Sequence, residues 1–181
     1  MRGFLAAFLL VLSTPAHCEE LPDWALSLTL GQAIVAGGEA DLFADSTAFS
    51  LDYLRFAQPG WFGWGAELGS ALSHKVKRGA TAGSKMNQIW FTPIVRLGAQ
   101  EEMTGADLRP YAIFGGGIYR QTMNAGERRA GSFLGVNLGG GFEVNLRESL
   151  QLAADVRYHY ILDDANSLKY IFPGARITIL F

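Results

Sequence analysis

Residues 170–181 read Tyr-Ile-Phe-Pro-Gly-Ala-Arg-Ile-Thr-Ile-Leu-Phe. At a period of two, Ile171, Pro173, Ala175, Ile177, Ile179 and Phe181 share one face of a strand, and Phe172, Gly174, Arg176, Thr178 and Leu180 the other. The first face is apolar to its end; the second carries a cation at its centre. In water such a strand turns its apolar face inward. In lipid it turns that face outward, and the arginine meets an enclosed polar interior.

Seven upstream runs repeat the alternation, separated by polar, Gly-rich segments. In residues 24–35, Trp24, Leu26, Leu28, Leu30 and Ile34 alternate with Ala25, Ser27, Thr29, Gly31 and Ala33. Residues 47–57 set Phe49, Leu51 and Tyr53 against Ser50 and Asp52. Residues 61–74 set Phe62, Trp64, Ala66, Leu68 and Leu72 against Gly63, Gly65, Glu67, Gly69, Ala71 and Ser73. In 87–97, Ile89, Phe91, Pro93, Val95 and Leu97 oppose Thr92 and Arg96, whereas 108–121 has apolar residues or glycine on both faces and no clear parity. Residues 132–146 place Leu134, Val136, Leu138, Phe142, Val144 and Leu146 opposite Gly135, Asn137, Gly139, Gly141, Glu143 and Asn145. Residues 150–162 are clearest, with Leu152, Ala154, Val156, Tyr158 and Tyr160 opposite Gln151, Ala153, Asp155, Arg157 and His159.

The runs are 11 to 15 residues long, beyond the usual ~5–6 of soluble strands and suited to a tilted bilayer crossing of about 9–11 residues plus a rim. Short connections at 58–60 and 147–149 contrast with longer, Gly-rich ones after the first, third and fifth runs; 99–107 is long for a short-turn position. A soluble barrel or sandwich would crowd several aromatics per strand into an eight-stranded interior. Its outside would be Gly, Ala, Ser and isolated charges, a poor solvated surface. The pattern therefore favours lipid.

The N-terminus is a secretory signal, with Arg2 ahead of an apolar stretch over 3–12 and a small-residue zone over 13–18. We assign 1–18 to the signal peptide and 19–181 to one barrel domain; cleavage after Ala16 fits the same pattern. The apolar stretch is too short for a spanning helix, which needs about 20 residues. Cutting after Cys18 removes the only cysteine, and losing Arg2 takes the formal charge from −2 to −3, so nothing basic in the balance points to nucleic acid.

The final strand pair, with Val156-Arg157-Tyr158-His159-Tyr160 followed by 170–181 and its terminal Phe181, resembles the C-terminal signature of bacterial outer-membrane β-barrels. The whole mature chain is similar to eight-stranded, OmpA/OmpX-type outer-membrane β-barrel domain proteins of Gram-negative bacteria. That resemblance implies an all-β, eight-stranded antiparallel transmembrane barrel in the outer membrane, monomeric, with short periplasmic turns and longer external loops. Its implied partners are outer-membrane lipid and lipopolysaccharide, the barrel-assembly machinery through Ile177, Ile179 and Phe181, and periplasmic chaperones.

Parity then assigns Asp52, Glu67, Arg96, Glu143, Asp155, Arg157, His159 and Arg176 to the lumen. An eight-stranded interior is just wide enough for side chains, and unpaired buried charge is costly, so a paired network plugging the lumen is expected. Interior Gly63, Gly65, Gly69, Gly135, Gly139 and Gly141 would leave room for arginine. Trp24, Phe56, Trp61, Phe62, Trp64, Trp90, Tyr158, Tyr160, Tyr170 and Phe181, near strand ends, fit interfacial girdles. The triplets at 115–117 and 139–141 lack the Lys-Ser/Thr and helix of a phosphate loop.

No metal-ligand spacing is present, and no cofactor is expected. Asp155 lies about 13 Å from His159 along a strand, too far for a pair. Eight-stranded lipid A deacylases carry a His-x-Ser element; here the trio is His159-Tyr160-Ile161, and Ser167 is a remote substitute. At the external rim Lys75, Lys77, Arg78, Arg128 and Arg129 could meet lipopolysaccharide phosphates. The reading is a structural or surface-interaction barrel; a narrow channel for small or apolar solutes and a lipid A-modifying enzyme are the alternatives.

Overall fold

A computed structural model describes residues 23–57, 62–78, 82–98, 108–125, 127–162 and 168–181; the side chains of 39, 125 and 127–129 also lie outside the description. The signal peptide, the 58–60 turn with Trp61, the 99–107 segment and Ser167 therefore lie outside the described residues.

Eight strands form one closed antiparallel barrel in chain order: β1 (Trp24–Ala36), β2 (Ser46–Ala57), β3 (Phe62–Lys75), β4 (Lys85–Leu97), β5 (Arg109–Ala125), β6 (Glu127–Arg147), β7 (Leu150–Leu162) and β8 (Lys169–Leu180). Closure joins β1 to β8 from Ala25↔Leu180 to Ala36↔Lys169. A closed barrel leaves no unpaired edge, which is the condition for strands in hydrocarbon. A 3-10 turn (Gly37–Asp41) caps the β1–β2 connection. No described helix is long and apolar enough to cross a membrane.

The faces follow the alternation. Leu30, Leu51, Leu68, Phe91, Leu138 and Val156 are exposed on the outside, while Ser27, Thr29, Asp52, Thr92 and Arg176 are buried inside. The ambiguous fifth run resolves with Arg109, Tyr111, Ile113 and Tyr119 inward. Prolines break the ladder without opening an edge. At Pro93 the β4–β5 pairing passes from Phe91↔Ile118 to Ile94↔Gly115, and at Pro173 the β1–β8 pairing passes from Gly31↔Gly174 to Ile34↔Ile171.

Several expectations are corrected. The segment after β5 is not a long loop: β5 and β6 run on as a hairpin to Ala125↔Glu127. Arg128 and Arg129 thus belong to β6, their side chains outside the description. Phe56, Trp90 and Tyr170 are buried in the lumen and leave the girdles. Ser73 is exposed rather than inward, because a bulge between Ala71 and His74 shifts the register. Ile179 is only 6% exposed; its register partners Leu26 and Leu150 flank it on either side.

Candidate functional site: the lumen network and the basic rim

Two clusters of buried lumen side chains flank the central charges. Towards the chain termini, Ala25, Leu54, Phe56, Ile94, Tyr111, Ile113, Ala153 and Leu180 pack together. Towards the opposite end lies a cluster that includes Met86, Trp90, Tyr119, Tyr170 and Phe172. Arg157, fully buried between them, meets Asp52 at 2.5 Å, Glu67 at 2.6 Å and Asp155 at 3.3 Å. Arg176 reaches Asp52 at 3.2 Å and also pairs with Asp155. These three carboxylates and two guanidiniums come from β2, β3, β7 and β8, so the network ties together strands on opposite walls.

Asp155, Arg176 and Glu67 are held by further bonds. Tyr111 Oη donates to Asp155 at 3.1 Å, and Arg176 Nε donates to Thr29 at 3.3 Å. Asn137 Nδ2 donates to Glu67 at 2.9 Å, as does Trp90 Nε1 at 2.6 Å. Nearer the termini Arg96 pairs with Glu143 at 2.5 Å and lies over the rings of Tyr111 and Phe56, at 4.5 and 5.5 Å. Arg109 bonds Asn145, which also accepts from Gln151. Charge-assisted bonds of this kind repay the cost of burial where lone pairs and protons are used; among the described residues Arg96 Nε, Glu143 Oε2 and Arg176 Nη1 are buried without a hydrogen-bond partner.

His159 is inward and buried but stands apart from the ion pairs, a correction to its place in the charge network. Its Nδ1 bonds Tyr119 Oη at 3.0 Å, and its ring stacks on Tyr170 at 4.5 Å and meets Trp90 edge-on at 5.1 Å. The glycines are also redistributed. Gly139 does face Arg157, but a Cβ at Gly69 would meet the Trp90 indole at 2.2 Å, and one at Gly135 the Tyr119 ring at 2.6 Å. Interior glycine therefore makes room chiefly for aromatics.

Trp90, Tyr111 and Tyr119 are among the lumen residues that the sequence reading did not place inside, whereas Asn137 and Phe172 stood on the inner face without an assigned role. Parity with Thr92 and Arg96 was enough to place Trp90. Nothing in the glycine-rich fifth run distinguished Tyr111 and Tyr119.

At the outer rim, Lys75 and Arg78 are exposed. Lys77 is already engaged, its Nζ donating to the Ala40 carbonyl at 2.9 Å and tying the β3–β4 connection to the 3-10 turn. No group of three or more His, Cys, Asp or Glu side chains among the described residues could hold a metal ion.

A closed barrel with an apolar outside and a polar, ion-paired inside belongs to the class of membrane-spanning β-barrels. The chain belongs to the outer membrane protein beta-barrel domain family, whose model matches residues 4–171; it is an outer-membrane protein. It is similar in fold to Neisserial surface protein A, at TM-score 0.67 and 11% identity over 88% of this chain and 97% of that one. Ail of Yersinia pestis gives TM-score 0.57 and 14% identity over 88% and 100% of the two chains. The N-terminal barrel domain of Pseudomonas aeruginosa OprF gives 0.57 and 14% over 88% and 98%. No curated protein matches the sequence.

Proposed function

We propose that this barrel is monomeric, has a lumen plugged by its charge network, and acts through its outer surface as a structural and surface-interaction protein. One observation carries the reading: Arg157 and Arg176, buried among three carboxylates, sit between two apolar clusters. A conducting path would have to strip paired charges of their partners, at several kcal/mol per ion.

A non-enzymatic role is supported by the surroundings of His159, whose Nδ1 faces a tyrosine hydroxyl and whose ring is enclosed by Trp90, Tyr119 and Tyr170. Lys75, Arg78, Arg128 and Arg129 are the rim cations proposed to meet lipopolysaccharide, with Lys77 held to Ala40 and contributing its remaining donors. Ile177, Ile179 and Phe181 are proposed to engage the assembly machinery, with periplasmic chaperones acting before insertion.

Planar-bilayer conductance tests the plug. The wild type should give no steady solute-sized conductance, and Arg96→Ala and Arg157→Ala should give brief or irregular openings. Stable conductance by the wild-type barrel would replace the plug with a channel.

A further inference from the structure

Charge is segregated between the two sides of the wall. Among the described strand side chains every carboxylate (Asp52, Glu67, Glu143 and Asp155) is buried, whereas the exposed charged residues Arg55, Lys75, Lys85, Arg120 and Arg147 are all cations. Two of them face each other: Lys75 and Lys85 are direct cross-strand partners at the rim end of β3 and β4. Like charges placed opposite one another in an antiparallel pair repel, with Cβ atoms about 4.5–5.5 Å apart. Neither lysine has an ion-pair partner among the described residues.

The backbone is bent to produce this juxtaposition. The alternation of β3 would point Lys75 into the lumen with Glu67 and Ala71. A bulge sets Leu72 and Ser73 against the single Asn87, and Ser73 takes φ 62°, a region that side chains other than Asn, Asp and Gly avoid. Asn87 Oδ1 accepts the Ser73 N–H at 2.8 Å. The parity flip buries His74, whose Nδ1–H donates to the Ala44 carbonyl at 2.8 Å while its Nε2 accepts from the Ser46 hydroxyl at 3.1 Å. Lys75 is thereby turned outward, opposite Lys85. Strain held in place by surrounding bonds is a reason to look for function at the residues it positions.

We propose that Lys75 and Lys85 clamp a phosphate group of an outer-leaflet, lipid A-type glycolipid. The large exposed side chains below them on the same wall are apolar, Leu72 at 45%, Ile89 at 53% and Ile118 at 56% exposure, except for the cation Arg120, the cross-strand partner of Ile89. A ligand spanning both zones has an anionic head and hydrocarbon chains; free phosphate would use only the upper one. The bound phosphate replaces lysine–lysine repulsion with two charge-assisted contacts. This inference rests on the surface-contact reading above and gives it a defined site.

The test uses the purified full barrel in detergent with lipid A, its dephosphorylated form, or phosphatidylethanolamine, read by native mass spectrometry. Wild type should retain lipid A over both other lipids, with no competition from inorganic phosphate. The Lys75→Gln/Lys85→Gln double variant should lose about thirtyfold in retention, on the usual worth of two cations at an anionic surface. Arg55→Gln, at the opposite rim, should bind as wild type. Lys85→Glu, which pairs with Lys75, should melt above wild type in lipid-free detergent and below it with lipid A. Retention that ignores phosphorylation overturns both the clamp and the surface-contact reading. A phosphorylation preference that survives the double substitution overturns the clamp alone.

Discussion

The lumen holds two layers that solve the same packing problem by different means. In the central layer, Asp52, Glu67, Asp155, Arg157 and Arg176 are joined across the barrel by ion pairs shared among several partners. In the layer beside it, Trp90, Tyr119, His159, Tyr170 and Phe172 fill the barrel with rings, each of the other four within 6.3 Å of the Trp90 centroid. The first layer is set by charge balance and the second by volume. They meet where Trp90 Nε1 donates to Glu67 Oε1 and where Phe172 stands directly across from Arg157. The difference teaches which substitutions each tolerates. The charge layer should accept changes of size but not of charge, and the ring layer the reverse.

The largest effect should come from taking the central cation out. Arg157→Met leaves Asp52, Glu67 and Asp155 facing Arg176 alone, and breaking a buried pair costs about 3–5 kcal/mol. Urea unfolding in micelles, followed by heat-modifiable migration, should show that loss, and adding Glu67→Gln should recover part of it. A loss below about 1 kcal/mol would mean that the network is solvated and the plug reading wrong. Next in size is a single methyl in the ring layer. Gly69→Ala drives a Cβ into the Trp90 indole, where overpacking costs about 1–3 kcal/mol. Trp90→Phe in the same background should relieve it. If Gly69→Ala is neutral, the rings are looser than their contacts indicate.

How much of this could be read in the sequence differed by region for physical reasons. β7 was legible to both ends because Gln151, Ala153, Asp155, Arg157 and His159 form an unbroken inner face against Leu152, Ala154, Val156 and Tyr158. β6 was legible only from Ser132, because beyond the bilayer a strand no longer needs an apolar face; its extension to Glu127 rests on backbone pairing with β5. Trp90 was misjudged by residue type, since an aromatic near a strand end suits an interface, although its parity with Thr92 and Arg96 placed it inside. The Ser73 bulge left no local signal: neither Ser73 nor its neighbours is a glycine, and the hydrogen bonds that hold it come from Ala44, Ser46 and Asn87, distant in sequence. Period-two patterning shows which face a residue takes until one residue is inserted, and then reverses every later assignment.

The finest comparison removes one hydroxyl that bonds a member of each layer. Tyr111→Phe deletes the hydroxyl that donates to Asp155 at 3.1 Å, while the ring stays beneath Arg96 and Arg176. Tyr119→Phe deletes the hydroxyl bonded to His159 Nδ1 at 3.0 Å, while the ring stays beside Trp90. The volumes lost are the same, so packing cancels. What remains is the acceptor: a bond to an ionised carboxylate contributes about 1.5–3 kcal/mol and one between neutral groups about 0.5–1.5. Tyr111→Phe should therefore unfold at lower urea than Tyr119→Phe, by a margin on the order of 1 kcal/mol. Equal losses would mean that Asp155 is satisfied by its arginines alone. A larger loss at Tyr119 would mean that His159 is itself charged and belongs to the network after all, and the boundary between the layers would move by one residue pair.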